Sequence, residues 1–463
     1  MSGRLDNIRV ERIPEPPPGE MRRFDLVTLS IGTVLGTGLL TFLPTGVAQM
    51  GTSAVIGFPV AVILGFLYLL PVTIACSILR MSGGLISLVG DVCSPLMTGL
   101  YGLGSCLPGI ALAMYGVTFA SYAAQVFPDI NQTFWAMVVL TAFYLINLAG
   151  IKAMSRLQNV MTVALACGLA LFIIIGCTQV TQPIFDFSNP NFMPNDVATT
   201  LTGFMVLFGC CNTFQSVSAA GRIAKRATKD IPFAFAITSV FIFFLYFFCA
   251  VVAAGVLPYE EISDSGTLVP ILRAIFPNWL FAIWMVAIPG LLVFTTMNGL
   301  FPTYAEMLAQ CARDGWLPAS WGKTSKRDVS VIPLTIYFVA AAAFTLTGLS
   351  PAEIILCTNI LTIPFDIILM VAMLRLPKKY PEQWKKSKWA LPFGLWAVLN
   401  IIRVALRGAA AYSSVIALDL QTVALTIAIV VVCIGWCLYR GRRANAVIRV
   451  SAWPAHMEES KEA

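Results

Sequence analysis

Val160-Met-Thr-Val-Ala-Leu-Ala-Cys-Gly-Leu-Ala-Leu-Phe-Ile-Ile-Ile-Gly-Cys-Thr-Gln-Val180 runs without one charged residue and without the polar–apolar alternation of a strand. Backbone amides cannot stay unpaired in hydrocarbon, so a stretch that crosses a membrane is either a helix or a strand of a closed barrel. Barrel strands alternate with a period of two. This stretch does not, and at 1.5 Å per residue it is long enough to cross as a helix.

Windows of about 20 apolar residues place further spans on both sides of it, near 24–47, 53–79, 99–127, 133–150, 158–180, 198–220, 232–256, 279–308, 332–348, 353–374, 390–407 and 417–438. The expected fold is an all-α integral membrane protein of about twelve transmembrane helices. One membrane domain over 24–438 lies between a tail at 1–23 and a tail at 439–463. The composition requires lipid as solvent: 58% of residues are hydrophobic, 11% are charged and the mean hydropathy is +0.82. A soluble domain carries ~25% charged residues.

The net charge of +7 does not imply a nucleic-acid partner, because the basic residues follow topology. With the N-terminus on the cytoplasmic side, 27 of the 30 Lys and Arg fall in inner segments; only Arg273, Arg403 and Arg407 are left outside or within spans. Asp129, Asp186, Asp196, Glu260, Glu261 and Asp264 gather in outer loops. An even number of spans with both termini cytoplasmic, in a multi-pass cell-membrane protein, is the expectation. The first 23 residues are polar and rich in proline, with no signal-peptide core, so the first span is expected to direct insertion. Most of the twelve cysteines sit in spans as small apolar residues, without CxxC or Cys/His ligand spacing, and no resident metal is expected. The single histidine, His456, lies in the tail, which leaves no intramembrane Ser/His pair or H-E-x-x-H site and argues against an enzyme.

Two spans are interrupted. The first holds Gly32, Gly36 and Gly38 ahead of Pro44; the sixth holds Gly203 and Gly209 within Phe208-Gly209-Cys210-Cys211-Asn212, then a polar run through Gln215, Ser216 and Ser218. Glycine costs about 1 kcal/mol relative to alanine inside a helix, and polar groups at membrane depth cost more unless they face a cavity. Spans one and six correspond if 24–180 and 198–374 are two repeats of opposite topology, followed by extra helices over 390–438; paired interruptions of this kind mark a transporter's midplane site. Close helix packing through Gly32-x-x-x-Gly36 is the alternative.

Gly36-Thr37-Gly38 resembles the G-S-G signature of the amino acid, polyamine and organocation (APC) transporter superfamily. Further matches follow in order: Ser82-Gly83-Gly84, Asn147-x-x-Gly150-x-Lys152, Arg156-Leu157-Gln158-Asn159, Lys229-Asp230-Ile231-Pro232 and Ala312-Arg313-Asp314-Gly315-Trp316-Leu317-Pro318. The resemblance covers about two-thirds of the chain. It implies a core of five plus five inverted-repeat helices, broken helices one and six, and alternating access by an amino acid permease. Ala219-Ala220-Gly221 resembles the branch that exchanges basic amino acids for their decarboxylation products. That branch commonly has a glutamate in span six, whereas this chain reads Thr213-Phe214-Gln215, which favours a neutral substrate side chain. Proton-coupled relatives often carry a lysine in span five; counting from Arg156-Leu157-Gln158-Asn159, the resemblance puts that position on Leu165.

An amino acid presents a carboxylate and an ammonium group, and broken helices offer main-chain donors and acceptors for both. The amides of Gly36, Thr37 and Gly38 are expected to bind the carboxylate and carbonyls near Thr33 and Phe208 the ammonium. Phe208, Cys211, Asn212 and Leu300 are expected to meet the side chain. Thr295 and Thr296 resemble the paired hydroxyls of sodium-coupled relatives; the alternative is that both bond back to carbonyls one turn earlier. Glu306 and Asp366 are candidate proton or gate residues that could instead snorkel to the inner surface, as Arg403 and Arg407 could to the outer. The expected function is secondary transport of amino acids or related amines, with no cofactor beyond a Na+ or H+ coupling ion. The alternatives are a sensor with a transporter fold, or exchange of an amino acid for its decarboxylation product. The sequence sets neither the particular substrate nor the oligomeric state.

Overall fold

The computed structural model describes residues 9–35, 38–127, 129–209, 211, 213–265, 267–346, 351–442, 447–450 and 452–455. Helices dominate. The first span is split into α1 (Arg23–Val34) and α2 (Gly38–Met50), and α3 (Ala54–Ile78) follows a 3-10 turn in which Gly51 has φ +66°. A Cβ at Gly51 would stand 2.2 Å from the Asn191 carbonyl oxygen, so only glycine fits. Span three is α4 (Pro95–Cys106) and α5 (Leu112–Val126), joined by a 3-10 turn. Then come α6 (Gln132–Leu148), α7 (Ile151–Cys177), α8 (Val197–Gly209), α9 (Ala227–Gly255), α10 (Asn278–Arg313), α11 (Val331–Leu346), α12 (Pro351–Lys379), α13 (Phe393–Ala417) and α14 (Leu420–Arg442).

Among the described residues, seven helices are long and apolar enough to cross a membrane. An eighth crossing is a pair, Leu356–Thr362 and Pro364–Lys379, bent by 47°, and α6, α8 and α11 are shorter apolar helices. Helix ends fall close to the expected spans except that α7 starts at Ile151 rather than 158, α8 stops at Gly209 rather than 220 and α13 runs to Ala417 rather than 407. The expectation erred at α13 because Arg403 and Arg407 read as an outer end, whereas both lie within the helix.

The motif Asp314-Gly315-Trp316 is a helix terminator with a visible cause. After α10, the Trp316 amide donates to the Cys311 carbonyl at 3.0 Å and the Gly315 amide to that of Ala312 at 3.1 Å, with Gly315 at φ +88°. This is a Schellman cap. Helix α14 fastens it from the side: Trp436 Nε1 donates to the Trp316 carbonyl and Arg440 Nε to that of Gly315, each at 3.2 Å.

Both tails lie on one face of the bundle, called the tail face below. There β1 (Arg9–Arg12) pairs in parallel with β3 (Val447–Val450), and β2 (Leu79–Met81) runs antiparallel to β4 (Ala452–Pro454). Arg80 on β2 is 2% exposed; it donates to Glu15 and to the Gly221, Pro16 and Pro17 carbonyls at 3.0 to 3.1 Å. The tail is thereby sewn to the segment that follows broken span six.

Candidate functional site

The two interruptions face each other. α8 stops at Gly209, and the chain resumes as a 3-10 segment over Thr213–Arg222 instead of continuing as an α-helix. Along its length α8 packs on α2: a Cβ at Gly203 would meet Gln49 and Met50 within 2.9 Å, one at Gly46 would meet Leu207 at 2.6 Å, and Gly209 stands opposite Phe42 at 4.0 Å. The glycines therefore let the two half-helices approach closely and bring their broken ends side by side. Gly36, Thr37 and Asn212 lie outside the described residues. Gly38 is the first residue of α2, so its amide is among those that an α-helix leaves without an internal acceptor.

The two half-helices that flank the first break are each held by a tyrosine. Tyr246 on α9 donates its hydroxyl to the Val34 carbonyl at 3.3 Å while its ring stacks on Phe58 at 4.4 Å. Tyr122 on α5 donates to the Leu40 carbonyl in the first turn of α2 at 3.0 Å. Neither tyrosine was singled out from sequence; a lone polar tip on an apolar helix was the available signal.

Thr33, Leu300, Thr295 and Thr296 are all buried where α1 meets α10. The Thr33 methyl packs into Gly299, where a Cβ would be 2.7 Å away, and its hydroxyl donates to the Ser30 carbonyl at 3.0 Å. Phe208 and Cys211 pack against α3. Phe208 meets Tyr68 of α3 edge-on at 6.0 Å, and Cys211 sits against Gly65, with its thiol on the Leu207 carbonyl at 3.4 Å. The expected site residues thus fall in two groups, one where α1 meets α10 and one where α8 meets α3.

The Thr295 hydroxyl donates to the Leu291 and Leu292 carbonyls at 2.8 and 3.1 Å, while that of Thr296 reaches both its own helix and, at 3.0 Å, the Gly32 carbonyl of α1. Both hydroxyls therefore bond back to carbonyls one turn earlier, the alternative reading of the pair, and only that of Thr296 also reaches α1. A further group enters the same space: a Cβ at Gly32 would lie 2.0 Å from Gln158 Nε2 and 3.2 Å from Thr295 Cβ. The Gln158 amide oxygen accepts from Asn298 at 2.8 Å, which directs its NH2 towards Gly32 and Thr162. From α7, Gln158 and Thr162 face Gly32, and Leu165 is buried further along the helix.

Glu306 is the centre of an ion-pair cluster. Its Oε1 meets Arg313 Nη2 at 2.5 Å and Arg222 Nε at 3.2 Å, and its Oε2 accepts from Ser330 at 3.1 Å. Arg222 ends the segment after the second break, so the charge joins spans six, eight and nine. Beside it lies a cavity of about 50 Å³, lined by Leu29, Met154, Ala220, Gly299 and Glu306 among others.

Asp366 does not snorkel. It lies just beyond the bend of α12 and pairs with Arg407 Nε at 3.2 Å; Arg403, 3% exposed, sets its guanidinium 4.8 Å above the Tyr68 ring that contacts Phe208. The expected outer-surface arginines are internal because this carboxylate and this aromatic face replace water for them.

Paired broken helices, with an ion-pair cluster on one face, define a membrane transporter. A family model described as "Amino acid permease" matches residues 22–439, and the chain belongs to that family. It is similar to the branched-chain amino acid permease BcaP of Bacillus subtilis (24% identity, 82% of this chain and 88% of that protein). It is also similar to the methylthioribose transporter of the same organism (24%, 80% and 83%) and to the putrescine transporter PotE of Haemophilus influenzae (19%, 89% and 95%).

Proposed function

We propose that this multi-pass membrane protein is a secondary transporter of amino acids or closely related amines, with both tails in the cytoplasm. The observation that carries the reading is the side-by-side placement of the breaks in spans one and six, with Phe42 opposite Gly209. Main-chain amides opening α2 take the substrate carboxylate and the end carbonyls of α1 and α8 its ammonium group. A neutral side chain then lies between Leu300 and Phe208. Opening the Arg222–Glu306–Arg313 closure would connect the cavity beside it to the cytoplasm. Relatives named for a branched-chain amino acid and for a polyamine support this substrate range from both ends.

The same geometry bears on coupling. A sodium ion at Thr295 and Thr296 would tie α10 to α1 and raise substrate affinity by its preference for one state. The Gln158 amide already supplies a neutral donor at Gly32, which supports ion-independent binding there. Counterflow in liposomes over a sodium titration at fixed ionic strength, with choline as replacement, tests both statements. Uptake of a neutral amino acid that is indifferent to sodium is expected. Sodium-dependent binding abolished by a Thr295→Ala, Thr296→Val double variant would establish the ion site instead, and binding without counterflow would make the protein a sensor.

A further inference from the structure

We infer that the tail face carries a specific site for the phosphate of an anionic lipid, at the joint between α1 and α9. Arg22, Arg23, Phe24, Lys225, Arg226 and Asp230 surround a cavity of about 410 Å³. Four cations thus meet one carboxylate. Asp230 is already committed: it is buried and accepts from Arg23 Nε at 2.8 Å, with Arg226 Nε at 3.5 Å. Asp25, the other acid nearby, accepts from the Arg22 amide and from Asn159, each at 2.8 Å. Among the described residues, neither the Arg22 nor the Lys225 side chain meets a carboxylate, and both are exposed. Their places are fixed in advance, since the Lys225 amide donates to the Met21 carbonyl and the Met21 amide to that of Ile223, both at 2.9 Å. The cavity is therefore a preformed cationic cradle.

What surrounds it selects a lipid over a soluble anion. Phe24 is exposed at its rim, and Phe233, under the Arg23 guanidinium at 4.5 Å, begins a stripe that continues along α9 through Ile237, Val240, Phe244 and Phe248. These residues recur at intervals of three and four, so they share one face of the helix, and all are exposed in the isolated chain. A headgroup phosphate between Arg22 and Lys225 would leave its acyl chains lying on that stripe. Basic pockets between transmembrane helices have this chemistry. The leaflet follows from the orientation proposed above; the binding itself does not depend on it.

The full-length protein is purified in a neutral detergent and its thermal unfolding followed with phosphatidylglycerol, phosphatidylcholine or inorganic phosphate. Stabilisation by phosphatidylglycerol alone is expected, with an apparent affinity roughly 10- to 30-fold weaker in Arg22→Gln, Lys225→Gln, since each surface cation contributes about three- to fivefold. A Lys385→Gln, Lys386→Gln control elsewhere on the tail face keeps the wild-type response. Equal stabilisation by inorganic phosphate, equal loss in the control, or no response to phosphatidylglycerol each overturns the site. If the double variant does not fold, lipid retained by Lys225→Gln in native mass spectrometry decides: wild-type retention overturns the inference and reduced retention supports it.

Discussion

At the scale of single residues, Gly38 and Asp314 carry the clearest consequences. A β-branched side chain at Gly38 would crowd the amides that open α2, so Gly38→Val is expected to lower substrate binding below detection while the protein still inserts. A ligand-induced thermal shift, set beside normal expression, checks this. Asp314, at the end of α10, is 3% exposed, and burial pushes its carboxyl up to about 7 although Gln310 donates to it at 2.7 Å. A raised carboxyl favours the protonated form in the folded state, so its stabilising contribution is full below pH 4 and is lost as pH rises towards 7. Asp314→Asn is therefore expected to flatten the fall in melting temperature between pH 4 and 7. A fall identical to wild type would mean that Asp314 is not the group responsible. Glycine positions were legible because their spacing clustered in two spans; Gln158 was not, because its approach to Gly32 is a contact between spans one and five that no local spacing announces.

At the scale of elements, the closure at Glu306 and the buried pair at Asp366 behave differently. Glu306 ties three spans at a partly exposed surface, so Glu306→Gln is expected to leave the fold intact and open the tail face. Labelling of a cysteine placed at Thr303, which lines the cavity beside the closure, should become several-fold faster. Asp366 is internal, and removing one member of a buried pair costs about 3–5 kcal/mol because the remaining charge is uncompensated. Asp366→Asn should be strongly destabilising, and a second change, Arg407→Met, should recover part of the loss; additive losses in the denaturation midpoint would show that the pair is not coupled. The carboxylates could be found in the sequence as costly intramembrane acids. Their partners could not, since Arg222 and Arg407 are distant in the chain from Glu306 and Asp366, and the charge pattern alone allowed snorkelling.

At the scale of the whole molecule, the helices were legible because each hydrophobic run must satisfy its own backbone, which makes the apolar window and the element nearly the same object. The tail strands were not, because β1 is four residues, Arg-Val-Glu-Arg, with a partner more than 400 residues away and no local alternation to announce it. That pairing also has a consequence for biogenesis. A nascent chain is delivered N-terminus first, so Arg9–Arg12 leaves the ribosome at the start of synthesis, whereas Val447–Val450 emerges only at the end. Throughout translation the first tail must wait without its partner, beside an Arg80 that can already take Glu15. The last act of assembly is therefore a fastening of beginning to end, completed after the bundle has been inserted. An affinity handle or a premature stop near residue 447 would interfere with that final step while leaving every crossing in place.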